Sequence, residues 1–292
     1  VLYNESWTKK DDCKLGIHVL VHTKEQLYEV LKRSEVSAIY IDSNILPFQN
    51  ISQVFEQVKE RNKKVYLYMP HLFRGTSYDY FLKNKSVLVA DTIDGYIIRN
   101  LEEYHLLYHE LQVGKLKKEI ISDHNLYIMN RQGKEFWNKL QLSKFTAPIE
   151  LNKHELLDLK GIYEDIIVYG RLPLMVTAQC LVKTVSGGDN KHLDRPLDGY
   201  CCGKGIEKVQ LIDRFDKKFP VTRNCMYCYN TIYNSTPLSL LNNREDVLAL
   251  ETKNIRLDFT LERGDETAMV LDRFIESFFY QNKVEEIKDF TR

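Results

Sequence analysis

The sequence predicts an α/β protein of the (β/α)8 TIM-type barrel class. Short apolar, β-branched runs alternate with amphipathic helical patterns at intervals of about 21 to 30 residues, the length of one strand, one helix and two loops. Eight such units can be read along the chain. No G-x-G-x-x-G or G-x-x-x-x-G-K-[ST] run occurs, and an open doubly wound sheet often carries one. We expect a single barrel domain over residues 1–292, interrupted by an insertion at about 172–250.

The elements follow in order. GIHVLVH at 16–22 is the first strand; TKEQLYEVLKR is the first helix, with Thr23 as N-cap and Leu27, Val30 and Leu31 on one face. VSAIYID at 36–42 is a buried strand by its β-branched content. ISQVFEQVKERNKK repeats the helical pattern through Val54, Phe55 and Val58. KKVYLYMP is a strand stopped by Pro70, and SYDYFLKN makes a helical turn or two. DGYIIRN and KEIISDHNLYIMN are strands separated by the helix LEEYHLLYHELQ. GKEFWNKLQ, LSKFTAPIELN, KHELLDLK and EDIIVYGRLPLMV read as helix, strand, helix and strand. NIRLDFTLE at 254–262 is the eighth strand, with a helix at about 265–281. Short, continuously apolar strands alternating with helices imply parallel pairing with both faces covered. The insertion follows the seventh strand, which places it on the catalytic, C-terminal face of a barrel. Within it, KVQLIDRFDKKFPVTRN reads as a hairpin turning at Asp216–Lys217.

Lys plus Arg and Asp plus Glu are 41 each, so the chain has no net charge, which excludes a histone-like basic tail mode of nucleic-acid binding. No apolar run approaches the roughly 18 residues of a membrane span, and VLYNESWTKK has no signal-peptide layout, so we expect no membrane and a cytoplasmic protein. The balance is uneven: residues 170–234 carry ten Lys/Arg against six Asp/Glu, interleaved with Tyr200, Tyr227, Tyr229 and Tyr233. Basic groups with stacking aromatics suit an RNA substrate. The competing expectation is a cap that packs these tyrosines over the barrel mouth.

Five of the six cysteines, Cys180, Cys201, Cys202, Cys225 and Cys228, fall in the insertion. In a reducing compartment such a cluster suggests metal or catalysis more than disulfides. Cys225 and Cys228 form a C-x-x-C that fits a redox pair, a zinc knuckle or half of an iron–sulfur site. Cys180 and one of Cys201 and Cys202 would complete four soft ligands, suited to zinc or an Fe–S cluster, since adjacent cysteines diverge. Unligated buried cysteine is the structural alternative. Polar residues at strand ends, Asp42, Asn44, His71, Arg99, Asn100, Asp123, His124, Asn125, Glu150, Tyr169 and Arg171, would ring the mouth. Among them Asp123, Asn125, Glu150, Tyr169 and Arg171 are the candidate catalytic residues. His105 and His109, at i and i+4 without H-E-x-x-H, are expected on the surface.

VYGRLPLMVTAQC at 168–180, LIDRFDKKFPV at 211–221 and NCMYCYNTIYNSTPLSLL at 224–241 resemble the collagenase-like U-thirty-two peptidase family. HTKEQLYEVLKR with AIYID, and HNLYIMNRQGKEFW with TAPIELN, are similar to the same family across nearly the full length. The match is to the C-terminal module of long members, so an upstream module of the same chain is expected. Some members are collagenase-like peptidases; others resemble factors for oxygen-independent hydroxylation of RNA bases or ubiquinone precursors and hold a [4Fe–4S] cluster. The resemblance implies that Cys180, Cys225, Cys228 and one of Cys201 and Cys202 are the cluster ligands. Many members carry His-Gly at the end of the seventh strand where this chain has Tyr169-Gly170. The resulting expectation is an Fe–S-dependent RNA-base hydroxylation factor. The alternatives are a peptidase, with Glu164 and Tyr169 as parts of its machinery, and a non-catalytic scaffold with a structural metal site.

Overall fold

The computed structural model describes residues 15–45, 47–181, 184, 209–282 and 284. Its main sheet runs through β1 (Gly16–Val21), β2 (Val36–Asp42), β3 (Lys64–Tyr68), β4 (Gly95–Ile98), β5 (Glu119–Ser122), β6 (Lys144–Phe145) and β7 (Asp165–Gly170). A second, four-stranded sheet holds β8 (Pro173–Thr177), β9 (Val209–Ile212), β10 (Lys218–Asn224) and β11 (Tyr229–Tyr233). The chain returns to the main sheet with β12 (Leu238–Ser239) and β13 (Asn254–Asp258). The main sheet has the order β12-β7-β13-β1-β2-β3-β4-β5-β6, parallel throughout except for β12. The sheet curls: Thr146 bridges Asp165 in parallel, Ala147 N donates to the Asp165 carbonyl (2.9 Å), and Glu164 N donates to that of Phe145 (2.9 Å). This is a mixed α/β fold built on a curled parallel sheet.

Helices α1 (Lys24–Leu31), α2 (Phe48–Glu60), α3 (Gly75–Lys83), α4 (Lys85–Leu88), α5 (Leu101–His105), α6 (Arg131–Lys139), α7 (Lys153–Asp158), α8 (Arg244–Ala249) and α9 (Gly264–Phe278) connect the strands. Thr23 caps α1 as its sequence predicts: its hydroxyl accepts from Gln26 N (3.2 Å) while the Gln26 side chain accepts from Thr23 N (3.1 Å). The expected helix LEEYHLLYHELQ is divided, α5 passing into a π-helical turn over Leu106–Glu110, and His105 and His109 are exposed there.

Period-two alternation sorts the strand residues between two cores. Ile17, Val19 and Val21 of β1, and Ile39 and Ile41 of β2, face the helices in one large apolar cluster. Leu20, Ala38, Tyr40, Tyr66, Tyr68, Ile97 and Ile121 form a separate, smaller cluster inside the curl. This interior is polar at both ends, and its center is the fully buried Arg256 of β13.

The insertion folds as the small sheet β8-β11-β10-β9, antiparallel throughout. The expected hairpin is β9–β10, turning at Asp216, whose φ is +59°. Cys201 and Cys202, expected to supply one ligand of a four-cysteine site, lie outside the described residues.

Candidate functional site

The same alternation brings His22, Asp42, Tyr68, Arg99, His124 and Asp258 together at the C-terminal rim of the curled sheet, around a small cavity of ≈ 30 Å³. The small sheet closes it from above. Tyr227 donates its hydroxyl to the Ser43 carbonyl (3.2 Å), Tyr229 accepts from His71 N (3.1 Å), and Asn44 donates its amide to Asn224. Arg171 holds the cap's exit, donating to the carbonyls of Asn234 (3.2 Å) and Ser235 (2.6 Å). Tyr227, Tyr229 and Tyr233 are buried in this contact, so their rings are occupied by packing and do not present faces for base stacking.

Arg256 organises the charge beneath the cavity. Its guanidinium donates twice to Asp258 (2.6 and 2.9 Å) and once to Asp123 (2.8 Å), and lies over the rings of Tyr40 (5.2 Å) and Tyr68 (5.4 Å). Asp123 also accepts from the Tyr68 hydroxyl (2.6 Å) and from His124 N (2.9 Å), with Arg99 Nε 3.3 Å away. Burial opposes the charge on Asp123, but Arg256, His124 and Arg99 overcome it and hold the carboxyl far below its usual range. His124 is pushed down to about 4 and His71 to about 3, chiefly by burial. Each has a buried Nδ1 with no hydrogen-bond partner.

His22 behaves oppositely. Its Nδ1 is 2.7 Å from the Phe259 carbonyl and its Nε2 is 3.0 Å from Asp42. Both partners are acceptors, so both ring nitrogens carry hydrogen. Burial works against that charge, but Asp42 and the carbonyl outweigh it and raise the pKa above the ordinary 6.5. Arg99 stacks on Tyr68 (4.7 Å), and among the described residues nothing accepts from its terminal nitrogens. A guanidinium with an open fork in a charged cavity this small is suited to a single carboxylate or carbonyl oxygen.

The predicted residues divide. Asp123 and Arg171 stand in this site, and Asn125 touches it by donating to the Arg99 carbonyl (2.9 Å). Glu150 is exposed in the turn before α7, outside the cavity lining. Tyr169 turns toward the helices, packing on Phe259 and Phe274 and donating to Glu262 (3.1 Å). The reason is a bulge: Arg256 pairs with Ile167 and the next residue, Leu257, pairs with Tyr169, so the extra residue moves Tyr169 to the outer face. His22, Tyr68, Arg256 and Asp258 escaped the sequence reading. Their signal was polar residues an even number of positions apart, four in H-V-L-V-H and two in Y-L-Y and R-L-D, within runs that read as plain apolar strands unless phase is tracked.

Cys225–Cys228 is the four-residue turn joining β10 to β11. Cys180 is brought to the same end of the cap, because Thr177 pairs with Asn230 and the Asn230 amide donates to the Gln179 carbonyl (2.6 Å). Cys180 and Cys225 are half-buried and Cys228 is exposed. Among the described residues no three of His, Cys, Asp and Glu stand at metal-ligand spacing, so the described cysteines do not by themselves make a metal site.

No family model matches the chain, and no curated protein does. Among solved structures it is similar to a thiamine phosphate pyrophosphorylase from Pyrococcus furiosus, at 9% identity over 90% of this chain and 96% of that one (TM-score 0.42). It is also similar to the C-terminal domain of a putative chitinase from Desulfitobacterium hafniense, at 8% identity over 90% and 99% of the two chains (TM-score 0.42). No helix among the described residues is long and apolar enough to cross a membrane.

Proposed function

We propose that the chain is a (β/α)8-barrel enzyme of the collagenase-like U-thirty-two peptidase type, acting in the cytoplasm as an iron–sulfur-dependent factor for oxygen-independent hydroxylation of an RNA base. The observation that carries it is the cap: a C-x-x-C turn and Cys180 at one end of a small sheet seated on a closed, charged cavity. Parallel order β7-β13-β1-β2-β3-β4-β5-β6, with bonds between the chain flanking β6 and that flanking β7, supports a closed barrel. Four thiolates, Cys180, Cys225, Cys228 and one of Cys201 and Cys202, would hold a [4Fe–4S] cluster, with zinc as the competing occupant. The reaction itself is supplied by the resemblance, as is an upstream module in the same chain. In the cavity, Arg99 would hold an anionic or carbonyl oxygen of a small substrate, and the His22–Asp42 pair would supply fixed charge beside it.

The peptidase alternative requires an activated nucleophile or water. His22 cannot serve as its base, because both ring nitrogens already face acceptors.

Anaerobic purification decides between these readings. The expected result is a brown protein with near-equal iron and sulfide, both lost in the Cys225→Ser and Cys180→Ser variants. Cells lacking the protein should lose one hydroxylated RNA base by mass spectrometry of digested RNA. A colorless protein holding one zinc would end the redox reading. Gelatin digestion that survives substitution of every cysteine would establish the peptidase.

A further inference from the structure

The strands' N-terminal ends hold a second and larger cavity, ≈ 760 Å³, at the opposite end of the sheet interior from the rim site. That volume lies within the range of small-molecule sites, roughly 300 to 1,000 Å³. His18 stands on its wall. His18 Nδ1 is 2.8 Å from the Tyr40 hydroxyl and 3.1 Å from Asp165 Oδ2. Asp165 is fully buried; the same oxygen accepts from Tyr40, and its other oxygen accepts from the Asn254 amide (2.8 Å). A carboxylate so engaged fixes the ring and puts a hydrogen on Nδ1. Nε2 is left without a partner among the described residues, on a ring 12% exposed. A histidine oriented by a carboxylate through one nitrogen, with the other open, is how proteins present imidazole to a ligand or a reacting group. The N-terminal face of a parallel α/β sheet serves stability in most proteins, and stability does not require a ring nitrogen left open to a cavity.

The charge around His18 is mostly positive. Five Lys and Arg residues line the cavity, against Glu164 and the buried Asp165. Lys63 is buried with Nζ on the carbonyls of Arg33 and Val36, with the charge of Glu35 close enough to act on it. Arg61 has no side-chain hydrogen bond or ion pair among the described residues. Lys144 and Lys64 share the single neighboring Glu119 (2.7 and 3.5 Å), and Lys253 pairs with Glu164 (2.8 Å). These partly exposed pairs are weakly held and free to exchange for a better anion. Counting Glu119 and Glu35, five cations meet four carboxylates.

We propose that this cavity is a binding site for a phosphate-bearing small molecule, with Arg61 donating to phosphate oxygens and His18 Nε2 accepting the hydrogen of a protonated phosphate oxygen. A phosphate presents three acceptor oxygens and close to two negative charges, matching a cavity with several donors and a positive excess. The site is independent of the cysteine cap and of the function proposed above.

Calorimetric titration of the whole chain with inorganic phosphate and with pyrophosphate tests it. The expected result is saturable binding, tighter for pyrophosphate, that weakens at least 10-fold in Arg61→Gln and in His18→Gln. Arg61 carries no hydrogen bond that folding needs, so its variant reads binding without loss of structure. Arg99→Gln, at the rim site, should leave the affinity unchanged. Absence of saturable binding, or binding lost in Arg99→Gln and retained in Arg61→Gln, would overturn the proposal.

Discussion

At the scale of single residues, Arg256 carries the most structure per atom. It is fully buried, three of its donors reach two aspartates, and two tyrosine rings cover its faces. Removing one partner of such a set leaves the others charged and unpaired in a medium that does not solvate them. Arg256→Met should therefore cost about 3 to 5 kcal/mol of stability, read as a fall in the urea midpoint. Replacing Asp258 by Leu in the same chain should restore part of the loss, because one of the stranded charges goes with it. Equal midpoints for Arg256→Met and the unaltered chain would show that water reaches the aspartates. Lys at this position would not substitute, since one ammonium cannot span both carboxylates with fork geometry.

At the scale of elements, the β10–β11 turn separates structural need from chemical need. Cys228 closes it at φ +58°, the left-handed region that costs a β-carbon residue about 1 to 2 kcal/mol. A cysteine kept there against that cost is expected where the thiol has a task. Cys228→Gly should raise the stability of metal-free protein, read from urea unfolding, by up to about 1 kcal/mol and, under the proposed function, abolish metal content; a destabilised Gly variant would mean the side chain packs. Gly170 has the opposite logic: its φ is +146° and a Cβ there would meet the Asp258 carbonyl at 2.7 Å, so the close approach of β7 and β13 admits only glycine. The strand–helix rhythm was legible because each parallel strand is a run of apolar residues bounded by turns, and all eight expected strands are found. The phase within each run was not. GIHVLVH reads as one apolar stretch, yet His18 and His22 fall on the inner face and Ile17, Val19 and Val21 on the outer. A one-residue bulge placed Tyr169, and nothing in VYGR announces it. Which cap tyrosines are buried depends on how the insertion seats on the rim, a long-range fact that local spacing does not hold.

At the scale of the whole molecule, the interior is a column with polar groups at both ends and Arg256 between them. His18, Asp165 and Tyr40 stand at one end; Asp123, Asp258, Tyr68, Arg99 and His22 at the other; Arg256 touches Tyr40 and Tyr68 between them. Histidines at the rim titrate in opposite directions, and this predicts the shape of stability against pH. His71 and His124 are depressed to about 3 and about 4, so below the ordinary 6.5 the unfolded chain takes up protons that the folded chain refuses. Stability then falls as pH drops from 6.5 toward 4, by up to about 1.4 kcal/mol per pH unit for each proton. His22 is raised above 6.5, so its contribution is full below that value and is lost as pH rises through the folded pKa. The two limbs meet near neutrality, and stability should peak there although the chain carries no net charge to favor that pH. Urea unfolding at a series of pH values measures the curve. His124→Asn should flatten the acid limb and leave the alkaline one; His22→Gln should do the reverse. If the two variants move the same limb, His22 is not the charged member of the rim, and the His22–Asp42 pair would then be free to act as a base.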